Sequence, residues 1–175
     1  MAIRIMQPHE FEAAFPKVMS WIERTLRTYQ NIARPVASRN FKRLPQYFSR
    51  TQIEAAKFAA VDRIPLPPLS SIGLRRFKKL ERGDYDGITY LDTYFLKRAK
   101  AGDESLHFHE MIHVVQWRLL GAEFFLALYA GGLEIFGYRD SPLEKMAYDA
   151  QDMFARGERF DAEEFVAERL NRKML

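Results

Sequence analysis

Apolar residues recur at helical spacing in the first part of the chain. From residue 9 to about residue 33 they lie three or four positions apart, which predicts an amphipathic helix with one buried face. The apolar positions are Phe11, Phe15, Val18, Met19, Ile22, Leu26 and Tyr29. Pro16 fits poorly inside a helix, so we expect a kink or a first turn near it. A short helix is predicted over 51–56, and 57–64 either continues it or forms a strand.

The middle of the chain changes from a strand pattern to a helix pattern. Residues 88–96, ITYLDTYFL, are rich in β-branched and aromatic side chains and predict a strand. A polar loop follows, in which Asp103 or Ser105 can cap the next helix. The apolar residues of that helix are nearly continuous, so we expect a buried helix over 104–120 that ends at Gly121.

Two further helices are predicted toward the end of the chain. Ser141 is a suitable N-cap with proline at the next position, and it begins a helix that runs to about residue 154. Asp161 caps the last helix, over 160–174, and Glu164 completes a capping box. Together the elements predict an α+β fold that is mostly helical, with a small β-sheet beside the central buried helix.

The chain length bounds the domain organisation. A chain of 175 residues suits a single domain over 1–175 with a sizeable core. Within it we expect a basic helical N-terminal extension over 1–50, a core over 57–154 and the C-terminal helix. The most apolar run, 119–138, contains two glutamates and several glycines, so we expect a buried helix pair there and no membrane span.

Composition narrows both the chemistry and the location. The chain has no cysteine, which excludes disulfides, thiolate zinc ligands and cysteine nucleophiles, so any zinc must be held by nitrogen and oxygen. Apolar residues make up 47% and charged residues 29%, as in ordinary soluble proteins. The first residues lack the apolar core and cleavage site of a signal peptide, so we expect a cytoplasmic protein.

Basic residues are concentrated in the first half of the chain. The net charge is +4, and residues 17–50 hold eight Lys/Arg against one acid, Glu23. Residues 75–82 add five bases against Glu81. A solvated basic surface is the simpler explanation. The alternative explanation is a weakly bound anionic partner, either nucleic acid or a membrane surface. No nucleic-acid motif accompanies the charge.

The segment HFHEMIHVVQW, residues 107–117, carries the strongest functional signal. His109, Glu110 and His113 follow the order H-E-x-x-H, and on a helix positions i and i+4 share one face. Two imidazoles so placed can bind one metal ion, and Glu110 is close enough to act as a general base on a metal-bound water. His109, His113 and Gln116 form a polar stripe in an apolar helix, and buried polar groups need partners.

Histidines that merely fill the core are the alternative explanation of this helix. A lone histidine would favour it, but three of the four histidines in the chain fall within seven residues. A metal site is therefore the stronger hypothesis. Gln116 either orients a metal-binding side chain by a hydrogen bond or packs in the core, and the pattern fits both roles.

The sequence offers several candidates for the third protein ligand that catalytic zinc commonly needs. Glu144 begins a helix that could pack across the histidine helix, but at N3 of S-x-x-E it could equally cap its own helix. The pattern favours neither role of Glu144 over the other. His107 would point away from the polar stripe, and His9 is isolated near the terminus. Asp140 and Asp149 are rivals, as ligands or as partners of ligands.

These motifs resemble the glutamate-ligand (gluzincin-like) branch of the zincin metallopeptidases. HEMIHVVQW followed by PLEKMA is similar to small bacterial families with an H-E-x-x-H-V-x-Q helix and a later P-x-E-x-x-A motif. The match covers residues 88–151. It implies a zincin-like core over 57–154 and one Zn²⁺ ion, with Glu144 as the third ligand beside His109 and His113.

The resemblance also implies a substrate-binding strand and an oxyanion-stabilising side chain. In such peptidases the strand before the metal helix forms the rim of the cleft and pairs with an extended substrate, which suggests 88–96 here. A tyrosine or histidine usually stabilises the oxyanion. The candidates in this chain are Tyr90, Tyr94, Tyr138 and Tyr148.

The function expected from the sequence is zinc-dependent hydrolysis of a peptide or protein substrate, with Glu110 as the general base. The alternative is a metal-stabilised binding or regulatory module with little or no peptidase activity. The small size of the chain, the lack of a motif that identifies the oxyanion residue and the basic N-terminal half favour this alternative.

Overall fold

A small mixed sheet lies at one side of the molecule in the computed structural model, which describes residues 6–173. Its strands are β1 (Arg34–Pro35), β2 (Lys57–Val61), β3 (Gly87–Tyr90) and β4 (Thr93–Lys97). The strand order is β1-β2-β4-β3. β2 and β4 run parallel, whereas β1 pairs with β2 and β3 pairs with β4 in the antiparallel sense. Residues 57–61 are therefore strand, one of the two structures expected for them.

Helices make up most of the described chain. They are α1 (Pro8–Tyr29), α2 (Arg50–Ala55), α3 (Lys78–Glu81), α4 (Glu104–Phe136), α5 (Pro142–Ala155) and α6 (Ala162–Lys173). The expected class, α+β and mostly helical with a small sheet, is confirmed. At the start of α6, Asp161 Oδ1 accepts the Glu164 N–H at 2.9 Å, as the capping prediction requires.

The segment 88–96 corrects the sequence prediction, because it is a hairpin and not one strand. Tyr90 pairs with Thr93, and Leu91 in the turn between them has a φ of 59°. Left-handed leucine is rare, and a turn at Leu91-Asp92 carries none of the glycine or asparagine signals that mark most hairpins. The consequence is that β4 lies inside the sheet, and β3 forms the edge next to it.

Residues 6–50 are built into the main core. α1 continues through Pro16 and buries Ala14, Val18 and Ile22 against it. The segment after α1 adds buried side chains of its own, which are Val36, Leu44, Tyr47 and Phe48. These residues belong to the same hydrophobic cluster as the α4 and α5 side chains, so the described part of 1–50 does not stand apart as an extension.

α4 consists of two segments that meet at Gly121, where the sequence predicted the end of a helix. Gly121 has φ 74° and ψ 163°, outside helical geometry, so we describe residues 104–120 as the first segment and 122–136 as the second. The first is buried from residue 107 to residue 117. The second continues through Gly131 and Gly132 without a break.

The second segment of α4 is not part of a buried helix pair, which corrects the expectation for this region. Phe124 is 58% and Phe136 is 54% exposed. By length and composition alone, α4 is the one helix among the described residues that could cross a membrane, and only 11% of its most apolar window is buried.

Candidate metal centre

Two polar stripes with the same spacing face each other at the centre of the molecule. The first segment of α4 contributes His109, His113 and Gln116, and α5 contributes Glu144 and Gln151. Each set lies at positions of one helical face, separated by four or seven residues. The two helices run antiparallel, so His109 meets Gln151 at one end while His113 meets Glu144 nearer the other.

Three ligand atoms converge between these stripes. Nε2 of His109 lies 3.2 Å from Nε2 of His113, and Oε2 of Glu144 lies 3.5 Å and 3.4 Å from the two nitrogens. Ligands about 2.0–2.1 Å from a tetrahedral zinc ion are separated from each other by about 3.3–3.4 Å. The triangle therefore has the size of one face of a zinc tetrahedron, and its three residues form a group that could hold a metal ion.

In its neutral form, each imidazole directs an unprotonated nitrogen into this triangle. Gln116 Oε1 lies 2.8 Å from His113 Nδ1, and Gln151 Oε1 lies 3.1 Å from His109 Nδ1. The amide orientations follow from the other end of each side chain, because both Nε2 groups donate to backbone carbonyls. An amide oxygen only accepts, so each neutral ring carries its proton on Nδ1 and offers the Nε2 lone pair.

Glu144 faces the histidines and does not cap its own helix. Ser141 and Pro142 occupy the N-cap and N1 positions as predicted, but no side-chain hydrogen bond closes the cap. Glu144 Oε1 accepts the Tyr129 hydroxyl at 2.7 Å. Glu144 Oε2 is buried and has no hydrogen-bond partner among the described residues. A buried carboxylate oxygen without a donor is costly, and a cation between it and the two nitrogens would remove that cost.

The charges of the triangle are strongly coupled in the absence of a cation. Burial favours the neutral forms of His113 and Glu144. In both cases the attraction between the opposite charges outweighs the effect of burial. The Glu144 carboxylate raises the pKa of His113 to about 9 against the effect of burial. The two imidazoles likewise hold the pKa of Glu144 well below its usual range, although burial acts to raise it. The site therefore attracts positive charge, as a proton or as a metal ion.

Glu110 lies beside the triangle and is held by the sheet. Its Oε2 accepts the Thr89 hydroxyl at 2.7 Å, and Trp117 Nε1 donates to the Thr89 carbonyl at 3.2 Å. Burial raises the pKa of Glu110, while His109 and His113 act in the opposite direction. A raised carboxylate pKa suits a group that accepts and returns a proton near neutral pH.

An apolar cavity of about 110 Å³ opens next to these carboxylates. Glu110, His113 and Glu144 line one end, and apolar side chains of α1, α3 and the second α4 segment line the rest, including Val18 and Phe125. Apolar cavities of comparable size, about 150 Å³, can hold a benzene ring. The space therefore suits one leucine- or phenylalanine-sized group.

The other polar candidates for the third ligand lie elsewhere. His107 Nε2 donates to the Ala101 carbonyl at 3.0 Å, so its Nδ1 accepts the Tyr94 hydroxyl at 2.7 Å. Burial lowers the pKa of His107 to about 4, which keeps it neutral. His9 is exposed on α1. Asp149 pairs with Lys145 and Arg169, and Asp140 is exposed.

The tyrosines considered as oxyanion stabilisers fall into two groups. Tyr90 donates to the Pro65 carbonyl and Tyr94 pairs with His107, so both hydroxyls are engaged away from the triangle. Tyr148 lies against His109, with ring centroids 4.6 Å apart. Tyr138 lines the cavity, and burial together with the Glu144 carboxylate raises its pKa. Tyr138 and Tyr148 are therefore the two candidates near the site.

Several residues of the site carry no motif. Gln151 lies seven positions after Glu144, on the same face of α5, and that spacing could have identified it. Tyr129 had no such signal, because the break at Gly121 redirects the second α4 segment across the site. Thr89 reaches Glu110 only because β3 lies beside the helix.

Comparisons with known proteins give no relative from which a function could be transferred. No family model, no curated protein and no solved structure matches the chain. Any functional assignment therefore rests on the chemistry of the site.

Proposed function

We propose that this protein is a zinc-dependent metallopeptidase whose ion is held by His109, His113 and Glu144. The observation that carries the proposal is the convergence of two imidazole lone pairs and an unpartnered carboxylate oxygen at distances of 3.2–3.5 Å. A set of two nitrogens and one oxygen is a donor set that catalytic zinc uses, with a further position left open.

Glu110 is the proposed general base. A bound zinc ion would lower the pKa of a water molecule and polarise the carbonyl of the scissile bond. Glu110 accepts one proton from the attacking water as the new C–O bond forms. It then returns that proton to the amine nitrogen as the C–N bond breaks, so the carboxylate is regenerated. The Thr89 hydroxyl restricts the rotation of Glu110 between these two steps.

β3 and the apolar cavity provide the proposed substrate contacts. β3 is the sheet edge that carries Thr89, so an extended peptide could pair with its half-exposed residues, Gly87 and Ile88. The cavity lies next to Glu110 and His113 and would accept one apolar side chain of that peptide. We therefore expect preference for Leu or Phe next to the cleaved bond.

The direct test is hydrolysis of a fluorogenic peptide library and of an unstructured protein by the zinc-loaded full chain. Glu110→Gln should bind zinc like the parent and lose turnover by at least about 100-fold. Glu12→Gln, at an exposed position of α1, is the matched control and should retain full activity. Retained turnover in Glu110→Gln would refute the base assignment.

A metal-stabilised module without peptidase activity is the second candidate. The observation that favours it is burial: His109, Glu110, His113 and Glu144 are each at most 5% exposed. Under this alternative, zinc would raise the stability of the protein while the parent chain hydrolysed none of the peptides. The same assay, accompanied by thermal unfolding with and without zinc, separates the two candidates.

A further inference from the structure

The second segment of α4 carries an apolar stripe on its outer surface. We call this the outer stripe; its members lie at positions of one helical face. They are Phe124, Ala127, Leu128, Gly131 and Ile135. Phe124, Leu128 and Ile135 are 58%, 40% and 47% exposed. Isolated exposed apolar residues are normal, but a continuous helical stripe of them marks an interaction surface.

The inner surface of the same segment packs against the rest of the molecule. Phe125 stacks on Trp117 with ring centroids 3.9 Å apart, and Tyr129 donates to Glu144. The segment cannot leave this packing to cross a bilayer without dismantling the site. Its 15 residues would in any case span only about 22 Å, less than the roughly 30 Å of a hydrocarbon core. The outer stripe is the face of this segment that remains available to a partner.

The basic residues 75–82 are attached to this segment through Arg76. Arg76 forms ion pairs with Glu134 of the second segment at 2.9 Å and with Glu10 of α1 at 2.8 Å, which attaches residues 75–82 to the helix. The other four bases of 75–82 are exposed to solvent. They are Arg75, Lys78, Lys79 and Arg82. The acids of this helix segment are the exposed Glu123 and Glu134, which is paired with Arg76, so the four exposed bases outnumber them.

We propose that the outer stripe and the basic segment 75–82 dock the protein peripherally on an anionic lipid surface. An apolar helical face inserts among the headgroups, and neighbouring lysines and arginines are attracted to the negative surface potential. A protein partner or a second copy would need the stripe but would not require the bases. The proposal is independent of the metal and of peptidase activity, because it concerns the opposite face of the helix.

Vesicle sedimentation of the full chain tests the stripe. We expect binding to vesicles of phosphatidylcholine with about 30% phosphatidylglycerol, weakened by salt. The triple variant Phe124→Gln/Leu128→Gln/Ile135→Gln should bind at least about tenfold more weakly. Ile32→Gln, at an apolar position that is 46% exposed elsewhere, is the matched control and should bind like the parent. Circular dichroism establishes that each variant is folded.

A second pair of variants tests the charge. Lys78→Gln/Lys79→Gln should weaken binding by about 30-fold, since each base near an anionic surface is worth about fivefold. Lys42→Gln/Lys57→Gln makes the same charge change at exposed positions outside 75–82 and should have little effect. The proposal is overturned if the parent does not bind the anionic vesicles, or if it binds vesicles of phosphatidylcholine alone equally well. It is also overturned if light scattering shows that the parent is a dimer and the stripe variant a monomer, while the parent does not bind vesicles.

Discussion

At the scale of single residues, the two glutamine side chains determine what the histidines can do. Each holds the Nδ1 proton of one ring and is itself anchored to a backbone carbonyl. Both Nε2 atoms are therefore aimed at the triangle, and each offers a lone pair whenever its ring is neutral. A histidine without such a partner would populate both tautomers, and only one of them can bind the metal ion through Nε2. Its affinity for the ion would therefore be lower.

We predict that Gln151→Leu weakens zinc binding by about 10–100-fold, the range typical of partners that orient a metal ligand. The substitution removes the acceptor of the His109 Nδ1 proton but leaves all three ligands in place. Competition with a chromogenic chelator measures the affinity. Gln30→Leu, at an exposed position after α1, is the control. Equal affinity in Gln151→Leu and the control would show that this hydrogen bond does not orient His109.

At the scale of the elements, close approach of backbones positions the site. α4 and α5 meet where Gly132 lies against Pro142, two residues before Glu144. β3 approaches the first α4 segment so closely that Gly87 has no room for a side chain beside Glu110. The two glycines therefore set how near Glu144 and Glu110 can come to the histidines.

The neighbouring glycines of α4 provide a matched pair of variants. A Cβ at Gly132 would lie 2.8 Å from Pro142 Cδ and 3.2 Å from Ser141 Cβ, whereas one at Gly131 meets nothing within 4 Å. Gly132→Ala should destabilise the protein by about 1–3 kcal/mol through overpacking. Gly131→Ala should stabilise it by about 0.5–1 kcal/mol through helix propensity. Urea unfolding measures both, and the same sign for the two variants would contradict this packing.

Gly87→Ala tests the position of Glu110. The added Cβ would overlap Glu110 Oε1, so the carboxylate must move while the metal ligands remain. We expect zinc affinity close to that of the parent and turnover reduced by about 100-fold, a typical effect of misplacing a catalytic group by about 1 Å. Gly102→Ala, where a Cβ meets nothing within 4 Å, should be fully active. Unchanged turnover in Gly87→Ala would show that Glu110 has room to move without loss.

The elements also show what could be predicted from the sequence. Helical spacing predicted α1, the N-cap and proline signals predicted α5, and glycine predicted the break at Gly121, because all of these depend on local chemistry. The hairpin at Leu91 was missed because an apolar residue in a left-handed turn looks like continued strand. The role of Glu144 was undecided because a cap and a ligand require the same residue at N3. Only packing of α5 on α4 distinguishes them, and that is a long-range property.

At the scale of the whole molecule, we expect the proposed metal site to make stability depend on pH in opposite directions with and without metal. In the metal-free protein the pKa of His113 is about 9, above its ordinary value of 6.5. Its protonation therefore contributes stability that is fully present below pH 6.5 and lost as the pH rises through 9. Glu110, whose pKa is also raised, acts in the same direction.

We predict that the metal-free protein loses about 3 kcal/mol of unfolding free energy between pH 6.5 and 9. With excess zinc the trend should reverse, since the ion binds deprotonated imidazole and competes less with protons as the pH rises. Urea unfolding at several pH values, in chelator and in zinc, gives both curves. Parallel curves would mean that zinc and the His113 proton do not compete for one site.

The most direct test of the account is zinc titration of the parent chain beside Glu144→Gln. Calorimetry should show one ion per chain, and Glu144→Gln should weaken binding by more than about 100-fold, beyond the effect of a residue that merely orients a ligand. His9→Asn, which changes an exposed histidine, should bind as the parent does. If Glu144→Gln binds zinc as tightly as the parent, the three side chains do not share one ion and the peptidase proposal fails with them.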